Sequence, residues 1–314
     1  MIEPDFLKLT DTGLYCAKGN FYLDPKQPVL NAVISHAHGD HAVSGNQNVF
    51  CTKATAAIMA HRYKKNAAGV FNIVPFGEAF FVNDVEIRFI PAGHIIGSAQ
   101  ILIIFKSIRY LYTGDYKFQD DPTCEPIEFT EADVLITETT FADPMVQHPD
   151  PVTEILKFNG NNQNILLGAY SLGKAQRLIY LITQYCPDRK VLVHFNILPI
   201  NQIYENLGFK PGKYLPYNRK LMKQPDMGYV YIVPPMTFNS YFKAKNVARV
   251  FASGWKQLQR SNDMELLISD HVDWNDILSM IGKVKPKEIW TLHGDGKHLK
   301  EHFDNLIPIK IMNK

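Results

Sequence analysis

Short apolar runs recur along this chain, and several end on a polar residue of chemical interest. Val29-Leu30-Asn31-Ala32-Val33-Ile34 runs into Ser35 and His36. Val85-Glu86-Ile87-Arg88-Phe89-Ile90 leads to His94, and Ile108-Arg109-Tyr110-Leu111-Tyr112 leads to Asp115. Val134-Leu135-Ile136-Thr137 leads to Glu138, Leu266-Leu267-Ile268 to Asp270 and His271, and Ile289-Trp290-Thr291-Leu292 to His293. Short β-branched runs bounded by Gly, Pro and Asp predict buried strands. Layered α/β folds place their ligands just past strand ends. Residues 53–64, with Ala54, Ala56, Ala57, Ile58 and Met59, predict a helix between strands. Residues 165–184 read as a strand, a turn at Ser171-Leu172-Gly173-Lys174 and a helix, with Ser171 as its N-cap. The first amides of such a helix favour an anion, and Lys174 and Arg177 add charge there. Residues 198–240, rich in Pro, Gly and Tyr, read as loops with short strands.

The densest chemistry lies in Ser35-His36-Ala37-His38-Gly39-Asp40-His41. Three imidazoles and a carboxylate this close are costly to fold unless something binds them. Borderline metals such as zinc take imidazole nitrogen and carboxylate oxygen, usually four ligands each. A strand ending in a tight loop aims the alternate side chains His36 and His38 in roughly one direction. Asp40 and His41 then face a neighbouring position, so the spacing suggests two adjacent metals. The bland alternative is a His-rich surface loop, which rarely reaches this density.

Composition narrows the class. A chain of 314 residues, 46% hydrophobic and 20% charged, is long enough for one large or two medium domains with a sizeable core. Four cysteines, Cys16, Cys51, Cys124 and Cys186, are far apart and form no C-x-x-C pair. They read as buried free thiols of a reducing cytoplasm. No apolar stretch is long enough to span a bilayer, and residues 1–5 lack the basic start of a signal peptide. The expected location is cytoplasmic, without membrane contact. The net charge of +2 hides an asymmetry. Residues 141–269 carry 15 lysines and arginines against 8 aspartates and glutamates, and the remainder carries 18 against 23. A basic middle segment beside an acidic, metal-binding remainder suits a polyanionic substrate, although a merely solvated basic surface fits the charge count equally well.

The H-x-H-x-D-H string resembles the signature of the metallo-β-lactamase fold. His94 in Pro91-Ala92-Gly93-His94, Asp115 in Thr113-Gly114-Asp115 and His293 in Leu292-His293-Gly294 follow in that family's order. The resemblance implies a di-metal site of zinc or manganese. His36, His38 and His94 would hold one ion, Asp40, His41 and His293 the other, with Asp115 bridging. The remaining motifs resemble the β-CASP nucleases. Ile136-Thr137-Glu138-Thr139-Thr140-Phe141 is similar to their acidic motif, and Tyr170-Ser171-Leu172-Gly173-Lys174-Ala175-Gln176-Arg177 to the strand-to-helix element of their inserted domain. Ser269-Asp270-His271-Val272-Asp273-Trp274 is similar to the histidine motif on re-entry, and His293-Gly294-Asp295 to the last one.

The implied architecture is a four-layer αββα sandwich formed by residues 1–140 and 270–314, with an α/β cap inserted at 141–269. The implied reaction is two-metal phosphodiester hydrolysis of single-stranded nucleic acid. Asp40 would be general base and His271 general acid, with Glu138 orienting His271. Asp24 would steady the metal loop from behind, and Ser171, Lys174 and Arg177 would bind phosphate. Ser253-Gly254-Trp255 resembles the T-G-W element of the DNA-repair branch that includes Artemis. The compact length and Gly19-Asn20-Phe21-Tyr22-Leu23-Asp24-Pro25 resemble ligase-associated DNA exonucleases, which are grouped with an ATP-dependent DNA ligase and a helicase. His293 departs from the Artemis-type pattern, which has Val there, and matches RNA-cutting members such as ribonuclease J. The expected substrate is therefore DNA ends in repair, with RNA processing as the alternative and a small-molecule hydrolase or a non-catalytic scaffold as more distant ones. Trp255 itself reads as a core residue.

Overall fold

A computed structural model describes residues 6–160, 162–241 and 247–312. The opening residues 1–5 lie outside these. The chain forms two compact units. The first comprises Met1–Asp120, Cys124–Gln147 and His271–Lys314, and the second Asp121–Thr123 and His148–Asp270.

The first unit begins with β1 (Leu7–Leu9), β2 (Leu14–Cys16), β3 (Phe21–Leu23), β4 (Asn31–Val33) and β5 (Asn46–Cys51). Helix α1 (Lys53–Tyr63) follows, capped by the Thr52 side chain, and then β6 (Ala68–Ile73). These six strands form one sheet in sequence order. A second sheet starts with β7 (Ala79–Val82), β8 (Val85–Pro91), β9 (Ala99–Phe105), β10 (Ile108–Tyr112) and β11 (Val134–Glu138). After the excursion through the second unit the chain returns with α7 (Trp274–Val284), β17 (Glu288–Leu292), α8 (Lys297–His302) and β18 (Ile309–Ile311). The second sheet runs β18-β17-β11-β10-β9-β8-β7.

Alternation along these strands builds the layers. In β8, Val85, Ile87 and Phe89 join Leu14, Phe21, Val33, Ile101 and Ile136 in a core lying between the two sheets. The outer face of the first sheet, Ala32, Val49 and Cys51, packs on Ala56 and Met59 of α1. The outer face of the second, Leu102, Leu111, Leu135 and Ile289, packs on Trp274, Ile277 and Ile281 of α7. Helix, sheet, sheet, helix is the four-layer αββα sandwich. Ala142 belongs to the α7 core, so the first unit runs past residue 141.

The second unit contains α2 (Pro151–Leu156), β12 (Asn164–Gly168), α3 (Lys174–Tyr185), β13 (Lys190–Val193), α4 (Leu198–Asn206), β14 (Leu215–Pro216), α5 (Arg219–Met222), β15 (Tyr229–Val233), α6 (Pro235–Ser240) and β16 (Val247–Phe251). Its sheet, β14-β13-β15-β12-β16, is wholly parallel. Ile165, Leu167, Val191, Val230 and Ile232 face α2 and α3, while Leu166, Leu192, Tyr231 and Val233 face α5 and α6. Both faces are covered, so these strands read as unbroken apolar runs.

Four expectations are corrected. Residues 198–240 hold the nine-residue helix α4, whose buried Ile200, Asn201 and Tyr204 recur at helical spacing among prolines that suggested only loops. Leu266-Leu267-Ile268 is not a strand. Two of its amides are taken by side chains instead, the Leu266 amide donating to Gln259 Oε1 at 3.0 Å and the Leu267 amide to Glu154 Oε2 at 2.7 Å. Ser171 lies in the turn, and Gly173, at φ 81°, is the N-cap of α3. Trp255 is 41% exposed rather than part of the core.

Candidate metal centre

The first unit brings the histidine string together by ending β4 and turning sharply. The amides of His41 and Ala42 both donate to the His38 carbonyl, at 3.2 and 2.9 Å, which winds the loop into a single turn. Arg62 of α1 donates from Nη1 to the Ala37 carbonyl at 2.7 Å, pinning the loop between its first two histidines. His36 and His41 are buried, while Asp40 stays outside with its side chain 78% exposed.

His94 arrives from the loop after β8. Gly93 precedes it at φ 72°, and a Cβ there would approach the Lys117 carbonyl to 2.5 Å, so only glycine fits. Nε2 of His36 and Nε2 of His94 each lie 3.1 Å from Nδ1 of His38. Asp115, just past β10, places Oδ2 3.5 Å from His36 Nε2, 3.5 Å from His41 Nε2 and 3.8 Å from His94 Nε2. Tetrahedral zinc with bonds of about 2.0–2.1 Å sets its ligand atoms about 3.3 Å apart. The donor atoms of His36, His38, His94 and Asp115 converge at that spacing, all within 4.8 Å of one another. Nitrogen and carboxylate lone pairs facing each other at this range repel unless a cation or protons sit among them. The donor set therefore fits a divalent metal.

A second position is outlined on the other side of Asp115. His41 Nε2 lies 3.8 Å from Asp40 Oδ2, and the His41 and His293 rings are 5.2 Å apart. His293 is exposed and adopts φ 53° just past β17. Its loop is tied to the Glu138 loop, Thr139 donating from its amide to the Leu292 carbonyl at 2.8 Å. A Cβ at Gly294 would come 2.1 Å from the Thr139 carbonyl, which accounts for glycine after His293.

Asp24 sits behind the loop. Its Oδ1 accepts the Ser35 amide at 2.7 Å. Its Oδ2 accepts the Ser35 hydroxyl at 2.5 Å and the Tyr112 hydroxyl at 3.0 Å, and lies 2.8 Å from His41 Nδ1. Asp24, His36 and His41 also cluster closely enough to hold an ion. Oδ2 is already committed to three partners and meets His41 at the nitrogen turned from Asp115, so we read Asp24 as the anchor of that ring. Glu138 makes a similar contact with His271, whose Nδ1 lies 2.9 Å from Oε2.

The electrostatics follow from this packing. Burial opposes charge on His41, but the carboxylates of Asp115 and Asp24 outweigh it and raise its pKa to about 10. His36 moves the other way, well below its usual value, through burial and the charge of His41. Burial would raise Asp115, but His41, His271 and His36 hold its carboxyl well below the carboxylate range.

The phosphate-binding expectation for Ser171, Lys174 and Arg177 is overturned for the two cations. Lys174 is 4% exposed, donates to the Ile268 carbonyl at 2.6 Å and pairs with Asp270 at 3.2 Å. Arg177 is 1% exposed, donates to the Ser269 carbonyl at 2.6 Å and pairs with Asp270 at 3.2 Å. Both hold the segment that leads to His271, and a phosphate would have to displace Asp270 from them. Ser171 is half-buried in the turn. The sequence reading passed over Tyr112, Ser35 and Arg62. Tyr112 and Ser35 stand inside motifs already singled out, whereas nothing local marks Arg62.

The four cysteines are buried free thiols, and burial pushes Cys16 up to about 11 and Cys51 up to about 12, which disfavours the thiolate at these two. Among the described residues no helix is long and apolar enough to cross a membrane.

No family model matches the chain. Over 300 residues it is 29% identical to a "Probable DNA ligase" of Opitutus terrae, which covers 90% of this chain and 28% of that protein. It is 23% identical over 364 residues to an "RNase J-like protein" of Methanocaldococcus jannaschii, covering 91% of this chain and 86% of the relative. It is 28% identical over 227 residues to "Endoribonuclease ysh1" of Aspergillus fumigatus, covering 56% and 26%. The chain thus spans little more than a quarter of the first and third of these relatives. A crystal structure of a protein of unknown function from Enterococcus faecalis V583 superposes with a TM-score of 0.59 at 14% identity, covering 90% of this chain and 79% of that one. That likeness is one of fold.

Proposed function

Because this chain belongs to the β-CASP branch of the metallo-β-lactamase fold, we propose that it is a metal-dependent phosphodiesterase that removes nucleotides from single-stranded or 5′ DNA ends during repair. The observation that carries this reading is the convergence of His36, His38, His94 and Asp115 beside the hydrogen-bonded pair Glu138–His271.

His36, His38 and His94 would hold one divalent ion and Asp40, His41 and His293 the second, with Asp115 between. Zinc and manganese both suit these donors. Bound there, two such ions supply Lewis-acid polarisation of the phosphate and acidify the attacking water. The protein groups do the rest. Asp40, exposed at the mouth of the site, takes the proton of that water as general base. Asp24 fixes the His41 ring and leaves Nε2 directed at Asp115. Glu138 holds His271 through Nδ1, so Nε2 can give a proton to the leaving oxygen as general acid.

DNA is preferred because the chain matches a segment of the Opitutus DNA ligase relative across 90% of its length, which also makes an ATP-dependent DNA ligase, with a helicase, the proposed partner. Ser253-Gly254-Trp255 supports the same choice. A second reading, RNA processing, is favoured by His293 and by the ribonuclease names of the other relatives. The deciding experiment digests end-labelled single-stranded DNA and RNA of one sequence, with 5′-phosphate or 5′-hydroxyl ends, in added manganese or zinc and in chelator. Chelator-sensitive stepwise loss from 5′-phosphorylated DNA is expected. Cleavage of RNA alone would replace the DNA reading with the RNA one, and cleavage of neither would overturn the nuclease assignment.

A further inference from the structure

All five strands of the second unit's sheet are parallel, so their carboxyl ends lie along one edge. Taken in the spatial order β13, β15, β12, β16, the residues within four positions of these ends include Phe195, Met236, Tyr170 and Trp255. They are 68%, 87%, 60% and 41% exposed. Exposed large apolar side chains ordinarily scatter singly. Here one stands at each of four neighbouring strand ends, on the edge where parallel α/β sheets bind ligands.

Strands about 4.8 Å apart give the row a span of about 14 Å, room for about four nucleotides at a 3.4 Å rise. Two members are backed by the fold. The His194 ring lies against Phe195 with centroids 4.1 Å apart, and the Trp255 amide donates to the Ser253 hydroxyl at 3.1 Å. The row also ends in positive charge. Arg219 opens α5 beyond β14, Lys256 follows Trp255, and both are exposed. Neither forms an ion pair among the described residues. The surrounding 141–269 segment carries 15 basic against 8 acidic side chains.

We infer that this edge is a stacking platform for the unpaired bases of single-stranded nucleic acid, with Arg219 and Lys256 holding backbone phosphates at its two ends. The inference rests on the nucleic-acid reading above and adds the surface that recognises the strand. The flat rings of Phe195, Tyr170 and Trp255 accept every base, with the Met236 thioether as an apolar contact among them, so binding is indifferent to sequence but requires bases that are not paired. A duplex hides those faces and is excluded from the row.

The test measures binding of a fluorescent thymidylate dodecamer by anisotropy, in chelator so that cleavage does not intrude. Wild-type protein is compared with Tyr170→Ala, Phe195→Ala and Phe195→Tyr, and with an abasic strand of equal length. Each alanine variant is expected to bind about 5- to 150-fold more weakly, while Phe195→Tyr keeps its affinity. The abasic strand should bind weakly and equally to all four proteins. Unchanged affinity in both alanine variants, or tight binding of the abasic strand, overturns the platform. So does a dimer in light scattering that dissociates in the variants, since the row would then be a contact between copies. Cleavage by the wild type in manganese is measured separately. A protein that cleaves DNA but binds through other residues refutes the platform alone, whereas one that neither binds nor cleaves refutes both readings.

Discussion

Nδ1 of His271 lies 2.9 Å from one oxygen of Glu138 and 3.1 Å from the other. The carboxylate is itself held, Oε1 by the Tyr116 amide at 3.1 Å and Oε2 by the Thr140 hydroxyl at 2.7 Å. This chain of bonds fixes the direction of the ring through Nδ1, and the proposed role of His271 as general acid depends on it. His271→Ala should lower kcat about 10²- to 10⁴-fold with bound metal unchanged, and Glu138→Gln should cost a smaller part of that. Single-turnover rates and metal content measured together check this. Loss of metal in His271→Ala at full occupancy conditions would instead make His271 a ligand.

Asp24 accepts from four groups at once, and it does so at φ 40°, a conformation costly for a residue with a side chain. Asp24→Ala strands the Ser35 amide, the Tyr112 hydroxyl and His41 Nδ1 in the interior and leaves the Ser35 hydroxyl only His36 Nδ1, 3.0 Å away. Each buried group left without an acceptor costs about 1–3 kcal/mol. Removing the anchor of a metal-binding histidine typically weakens metal binding about 10- to 100-fold. Tyr112→Phe removes one donor and leaves the other three, so it should melt near wild type and lose little zinc affinity. Zinc titration and melting of both variants separate the cases, and an Asp24→Ala protein with wild-type zinc affinity would refute the anchoring role.

His41 sets the sign of the pH response without metal. Its pKa rises on folding to about 10, so its contribution to stability is complete below about 6.5 and is lost as pH climbs towards 10. Asp115 is depressed on folding, so its contribution is present above its ordinary value of 3.8 and is lost as pH falls. The chelated protein should therefore melt at progressively lower temperature between about pH 6.5 and 9. Zinc needs the neutral imidazole and displaces that proton, so the saturated protein should show a much flatter profile over the same range. Parallel slopes with and without zinc would mean that His41 does not face the metal.

The layers, and the cluster of His36, His38, His94 and Asp115, were legible in the sequence because both are written locally. Strands such as 108–112 end on the residue that matters, and four of the donors lie within six positions. The four-layer order required only that each strand be apolar where it is covered. What escaped was decided at long range. Arg62 reaches Ala37 from the far end of a helix, 25 residues away. The segment 266–268 has the composition of a strand, but Gln259 and Glu154 take its amides, so no ladder forms. Helix α4 lay hidden among prolines, because Pro199 sits in its first turn, where the missing amide costs nothing.

Lys174 shows how far pairing can redirect an argument from charge. By composition it belongs to the basic segment and to a helix start, the ordinary place for an anion. In the fold its ammonium is shut away on Asp270 and the Ile268 carbonyl, and Arg177 shares the same aspartate. Lys174→Ala leaves Asp270 buried with one cation fewer. Removing one partner of a buried pair costs about 3–5 kcal/mol, and the low end applies because Arg177 stays. A strand phosphate, by contrast, would contribute to a dependence of log affinity on log salt with a slope of about −0.7 per neutralised charge. Lys174→Ala should therefore lower the melting temperature clearly and leave the salt slope of single-strand binding unchanged. A slope reduced by about 0.7, with stability intact, would restore Lys174 to the nucleic-acid surface.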